Sequence, residues 1–234
     1  MISTLLLLVI FLSKCINSSQ ASTDPRGIVF AEPSSCRQCH QAIYDSALLT
    51  AHFNASAPAS KENVHGNFNA GHNEFIYDSV TKIVMENRDS GMYQVLYVNG
   101  IQKEAHRFDI TIGIKNAQTW LYWKDYNVYE LPVSYYHFLN AWATSPGYEF
   151  RYDQPYFKRL ISRECFECHS SHINIKSDVA IPEGEQFNSE EVLQSMDKGS
   201  LIYGIDCQRC HGPAANHVNY HEAYPEEKKA KYIV

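Results

Sequence analysis

The chain has 234 residues, 44% of them hydrophobic and 13% aromatic. That is enough for one domain or two small ones with a real core, and it excludes a disordered protein. The formal net charge is −6 with a pI of about 6.0, and without a long basic run nothing attracts a polyphosphate backbone, so nucleic acid is excluded as a partner.

In chain order, Leu5–Leu12 form an unbroken apolar run that reads as the core of a secretory signal. It is well short of the roughly 18 apolar residues a membrane-spanning helix needs. Two endings stand. Ser19-Gln20-Ala21 puts small residues where a signal peptidase cuts, giving a signal of 1–21; a lipoprotein signal ending at Cys15 would instead leave a lipid anchor on the membrane. Lys14 directly before Cys15 argues against the second ending, and no Lys or Arg precedes the apolar run to support the first. The remainder, 22–234, is read as one domain.

From Thr23 to Ser60 the chain is rich in small residues, with a helical stretch expected over about Gln41 to Thr50. A β-rich insert is expected at about 74–136. There Met92, Gln94, Leu96 and Val98 alternate with Tyr93, Val95 and Tyr97. His106, Phe108, Ile110 and Ile112 follow on one face of a second run. Asn99-Gly100 between them is a two-residue hairpin signal, because both turn positions need positive φ. Trp120–Trp123 and Asn127–Leu131 read as further strands. After Pro132 an irregular stretch is expected, then a helix start at Ser189-Glu190-Glu191-Val192 and a helix-like charged run over Glu226–Lys231.

Of the seven cysteines, six form three C-x-x-C pairs, each followed by histidine: Cys36–His40, Cys165–His169 and Cys207–His211. On a helical turn, residues three apart share a face, so the thiols of Cys36 and Cys39, of Cys165 and Cys168, and of Cys207 and Cys210 can reach the two vinyl groups of one haem. His40, His169 and His211 then sit under the iron as proximal ligands. One such pentapeptide arises by chance in about one sequence in a hundred of this composition, so three are a strong signal. A structural zinc site would need four ligands where each motif offers three in a row. Thioredoxin-like redox chemistry explains the paired cysteines but not the three histidines.

Eleven histidines less the three proximal ones leave eight, His52, His65, His72, His106, His137, His172, His217 and His221, against four methionines. Bis-histidine ligation is therefore the expectation, with a lower potential than Met/His ligation. His65, His72 and His137 read as surface or satisfied core histidines. His106 reads as packing beside a haem. His172 lies too close to its own motif to reach the same iron. The tyrosines are expected to line haem faces.

Cys36–His40 with Ile43-Tyr44-Asp45-Ser46 and His52, Leu131-Pro132-Val133-Ser134-Tyr135, Ser145-Pro146-Gly147-Tyr148, and Cys207–His211 followed by Gly212-Pro213 and His217 together resemble multihaem c-type cytochromes. That group includes the tetrahaem carriers of ammonia oxidisers and cytochromes fused to helical repeats. The resemblance covers about residues 30–230 and implies His52 and His217 as sixth ligands, with His221 a third candidate. The fourth attachment motif common in that group is absent from the sequence, and the chain is read as compatible with the N-terminal part of a longer protein.

The fold expected on these grounds is α+β, with helices and loops gathered round three covalent c-type haems and an antiparallel β-section inserted. The function expected is electron transfer between redox partner proteins in the periplasm or at the outer cell surface. The alternative is an oxidoreductase acting on a small nitrogen compound at an open haem iron. The surplus of histidines favours the carrier.

Overall fold

A computed structural model of the chain describes residues 24–148, 155–176 and 195–233. The signal-like segment 1–21 and the helix start expected at Ser189 lie outside the described residues. The architecture is mostly β, in three antiparallel sheets, and this corrects the expected arrangement of helices and loops around haems. Strands run from Ser56 to Tyr203, well beyond the expected insert. The helices are α1 (Cys36–Ala47), α2 (Arg163–His169), α3 (Cys207–His211) and α4 (Ala215–Ala223).

The largest sheet has β1 (Ser56–Pro58), β6 (Ile110–Ile112), β7 (Ala117–Lys124), β8 (Asn127–Glu130) and β11 (Arg159–Leu160) in that order, with β9 (Val133–Tyr136) beside β7 and β10 (Ala141–Thr144) on β9. A four-stranded meander holds β2 (Glu74–Ile76), β3 (Thr81–Arg88), β4 (Gly91–Val98) and β5 (Ile101–Arg107). The third sheet is the pair β12 (Ser170–Ile175) and β13 (Met196–Tyr203). Asn99 (φ 52°) and Gly100 (φ 73°) link β4 to β5, the positive φ at both positions matching the right-handed twist of the flanking strands.

Period-two alternation gives β7 two buried faces. Trp120 and Tyr122 enter one core with Ile83 and Met85 of β3, Leu96 of β4, Phe108 and Trp142. Leu121 enters a second core with Ile110, Val128, Ile161, Phe166, Ile173 and Met196, and Trp123 packs against it. Each fully buried side chain of this size contributes about 1.5–3 kcal/mol. The second core holds α2 and the β12–β13 pair against the large sheet.

Three smaller expectations also change. The stretch after Pro132 pairs as β9 and β10, with Ser134 bonded to Thr119 and Ser145 through their hydroxyls. His106 and Ile110 do not share one strand: Phe108 turns the chain from the meander into the large sheet, where Asp109 N donates to the Leu121 carbonyl. The charged run Glu226–Lys231 is not helical, and Pro225 keeps α4, which ends at Ala223, from continuing into it. Among the described residues, no helix is long and apolar enough to cross a membrane.

Candidate functional site

Each C-x-x-C-H pentapeptide occupies a helical turn. The first opens α1, which is kinked at His40 (φ −116°, ψ 39°), so the turn carrying Cys36 and Cys39 is separated from the segment Gln41–Ala47. The second closes α2. The third is α3 entire, started by the Asp206 carboxylate accepting from Arg209 N at 2.9 Å and stopped by Gly212 at φ 77°. All six cysteines of the motifs are free thiols.

Single residues that carry no sequence pattern tie the motifs together. Gln208, the second residue of the third motif, is 3% exposed. Its Oε1 accepts from Ala31 N (2.9 Å) and Ala214 N (3.0 Å), and its Nε2 donates to the Ala31 carbonyl (2.8 Å). It thereby joins the approach to the first motif to α3 and to the start of α4. Arg26 forks between Asp24 (2.8 Å) and Asp206 (2.7 Å), all three buried, and lies over the Phe30 ring. Burial opposes ionisation of Asp24, but hydrogen bonds from the Arg26 side chain and backbone outweigh it and hold the carboxyl below its ordinary range.

The third motif also bonds the second. Arg209 donates to the Glu167 carbonyl at 3.2 Å, and Ser171 Oγ accepts from Asp206 N (2.7 Å) while donating to the Gly204 carbonyl (2.8 Å). Ser56 donates to the His169 carbonyl and accepts from Gly204 N, fastening both motifs to β1. Cys36 and Cys207 line one small cavity between the first and third motifs. Burial, and then Cys207 beside it, push the Cys36 thiol up to about 11. Asp206, an N-cap residue type directly before a motif, carries a local sequence signal that did not enter the expectations drawn from the sequence.

The histidines separate into groups. The ring centroids of His40 and His217 lie 6.3 Å apart with planes 15° apart. His217 Nδ1 lies 2.8 Å from the Lys231 carbonyl oxygen, and His221 lies one turn further along α4, its ring 4.7 Å from that of His217. His221 Nε2 and His169 Nδ1 are buried without a hydrogen-bond partner. His52 is exposed, its carbonyl accepting from Ile205 N at 2.9 Å next to the third motif. His211 closes α3 on the exposed side.

Other histidines depart from expectation. His137 is not a satisfied core histidine: its Nε2 is buried without a partner and its ring lies 5.6 Å from that of His65. His106 packs on Tyr122 (4.3 Å) and Phe157 (4.7 Å) within the β-framework. Tyr122, Tyr129 and Tyr135 likewise belong to the sheet core rather than to the motifs.

The donor set fits a covalently held haem. Each helical turn carries two free thiols and an adjoining imidazole, and unpartnered imidazole nitrogens lie at the second motif and on α4. The apolar surface around the first motif supports the same fit: Ile28 is 79% exposed, Ile43 71% and Leu49 79%, and α1 buries none of its residues. A helix of this length that buries none of its own residues is marginal by itself in water.

No family model matches the chain, and no curated protein matches it. Among solved structures it is similar to the outer cell wall cytochrome OcwA at a TM-score of 0.46 and 15% identity, over 88% of this chain and 35% of that one. The chain thus spans about a third of that protein's length.

Proposed function

We propose that the protein is an exported multihaem c-type cytochrome that holds three haems through Cys36/Cys39, Cys165/Cys168 and Cys207/Cys210 and passes electrons between redox partner proteins. His40, His169 and His211 are the proximal ligands, and His52, His217 and His221 are the candidates for the opposite positions. The observation that carries the reading is the convergence of three attachment turns: the third is clamped to the approach of the first by Gln208 on Ala31, and it bonds the second through Arg209 and Ser171. Attachment sites fastened together by hydrogen bonds keep their cofactors at fixed separations, which electron transfer between them requires.

The bound haem supplies one-electron chemistry at its iron. The chain supplies the thiols, the axial imidazoles that set the potential, and an apolar surface at Ile28, Ile43 and Leu49 that excludes water from the porphyrin. Export belongs to the same reading: thioether attachment and the apolar Leu5–Leu12 segment both point to the periplasm or outer surface, either free after cleavage at Ala21 or anchored through Cys15. The test is mass spectrometry of protein matured with the cytochrome c attachment machinery. Three added haems and no free motif thiols are expected; zinc, or thiols still free, would overturn the reading. An electron paramagnetic resonance spectrum with every iron low-spin supports the carrier, whereas a high-spin iron that binds nitrite or hydroxylamine supports the oxidoreductase.

A further inference from the structure

His217 lies six residues beyond the third motif, yet its ring pairs with that of the histidine of the first. A metal–imidazole bond is about 2.0 Å, and the centre of the ring lies a little over 1 Å behind its ligating nitrogen, so two imidazoles on opposite sides of one iron have centroids roughly 6.3 Å apart. The observed separation is 6.3 Å with nearly parallel planes. Rings in face-to-face contact would approach to about 3.5–4.0 Å. The gap between His40 and His217 is therefore too wide for face-to-face contact and has the span of an N–metal–N axis.

A second observation is independent of that distance. The Lys231 carbonyl oxygen can only accept, so the His217 nitrogen 2.8 Å from it, Nδ1, carries the proton. The neutral ring then presents Nε2 as a lone pair. A ring N–H given to a backbone carbonyl while the other nitrogen stays free is the arrangement that orients metal-ligating histidines. Tyr232, next to Lys231, packs edge-on against Tyr220 of α4 at 5.5 Å, which holds the carbonyl in place.

The two ring-bearing elements are also bonded to each other. Ala215 N, at the start of α4, donates to the Val29 carbonyl at 3.1 Å, and Gln208 clamps Ala31 to Ala214. The segment leading into the first motif and the helix carrying His217 thus move as one piece. We infer that His217 is the sixth ligand of the iron whose fifth ligand is His40, the haem of the first motif and not that of its own, and that the Lys231 carbonyl is its positioning group. The inference rests on the proposal that the three motifs carry haems.

The experiment uses holoprotein with three haems verified by mass. His217→Gly should convert one iron of three from low-spin to high-spin in the paramagnetic resonance spectrum, and added imidazole should return it. In a Cys36→Ala/Cys39→Ala background, which retains the two other haems, His217→Gly should change the spin state of neither. Three low-spin irons in the single variant, or a new high-spin iron in the two-haem background, would overturn the assignment. Should His217→Gly not accumulate, His217→Met keeps a ligand and should raise one midpoint potential of three; three unchanged potentials would equally overturn it. Fewer than three haems in the wild type would instead overturn the reading beneath it.

Discussion

Replacing Gln208 with alanine removes one amide that satisfies three buried backbone groups: Ala31 N–H, Ala31 C=O and Ala214 N–H. Ala31 and Ala214 are 7% and 2% exposed, so water does not reach them in the intact fold. An unsatisfied buried donor or acceptor costs about 1–3 kcal/mol. Water entering the space left by the side chain offsets part of this, so the lower end of the range applies to each group and the total is about 3 kcal/mol. For a domain of this size that lowers the thermal midpoint by about 6–12 °C. The assay is thermal unfolding of the holoprotein followed by far-ultraviolet circular dichroism, with haem content measured beside it. Haem content should stay at three, because Gln208 is not an attachment residue. A midpoint shift below about 3 °C, corresponding to under 1 kcal/mol, would show that the three groups find other partners and that the first and third motifs are not held together through this side chain.

Four further outcomes follow from the same structure. Phe166→Ala, at a side chain 2% exposed in the second core, should cost about 3–5 kcal/mol and loosen α2 from the large sheet, read as a lower unfolding midpoint. Arg26→Ala leaves Asp24 and Asp206 buried without their shared cation and should destabilise by about 3–5 kcal/mol; Arg26→Lys should recover only part, since an ammonium cannot fork between both carboxylates. Asp24 has a folded pKa below its ordinary value of 3.8, so its contribution is present above pH 3.8 and is lost as pH falls through the lower folded value. Acid titration of wild type against Asp24→Asn should show that difference vanish in this window. Chain expressed without haem attachment should leave α1 unfolded, measured as rapid amide exchange over residues 36–47, because α1 buries none of its own residues; slow exchange there in apoprotein would contradict the role assigned to the exposed apolar cluster.

The parts of the molecule legible in the sequence were those whose physics is local. A C-x-x-C-H pentapeptide carries its chemistry within five residues, and Asn99-Gly100 declares a hairpin because each of the two positions demands positive φ. The β-framework was not legible beyond β7 and β8. Strands β9 to β11 are two to four residues long, too short for any period, and β9 is buried at its first three positions, so it shows no alternation. The run Glu226–Lys231 has helix-forming composition, but Pro225 precedes it and the packing of Tyr232 on Tyr220 draws the chain back along α4. Tertiary contact overrides propensity there. The pairing of His40 and His217 lay beyond reach for a different reason: those residues are 177 positions apart, and what brings them together is hydrogen bonding by Gln208 and packing by two tyrosines.

If, as proposed, the cysteines and histidine of each pentapeptide hold a cofactor, only the two intervening residues and the flanks remain to dock the turn on the protein. The second motif uses Phe166, buried in a core of the large sheet, and the third uses Gln208 and Arg209. The first has Arg37 and Gln38 exposed, and Arg37 makes a surface ion pair with Asp45 that contributes little. Its place is set from outside: by Gln208 on Ala31, by Ala215 on Val29, and by Arg26 reaching Asp206. Structural dependence therefore runs from the β-framework to the second motif, then to the third through Ser171 and Arg209, and last to the first motif, although that motif comes first in the chain. A segment that depends on partners some 180 residues downstream cannot settle until they have been made, because loop closure over that length is opposed by entropy until the contacts exist to offset it. The ordering predicts that the first motif closes last during folding; on the proposed reading, residues from the opposite end of the chain complete the seat of its haem.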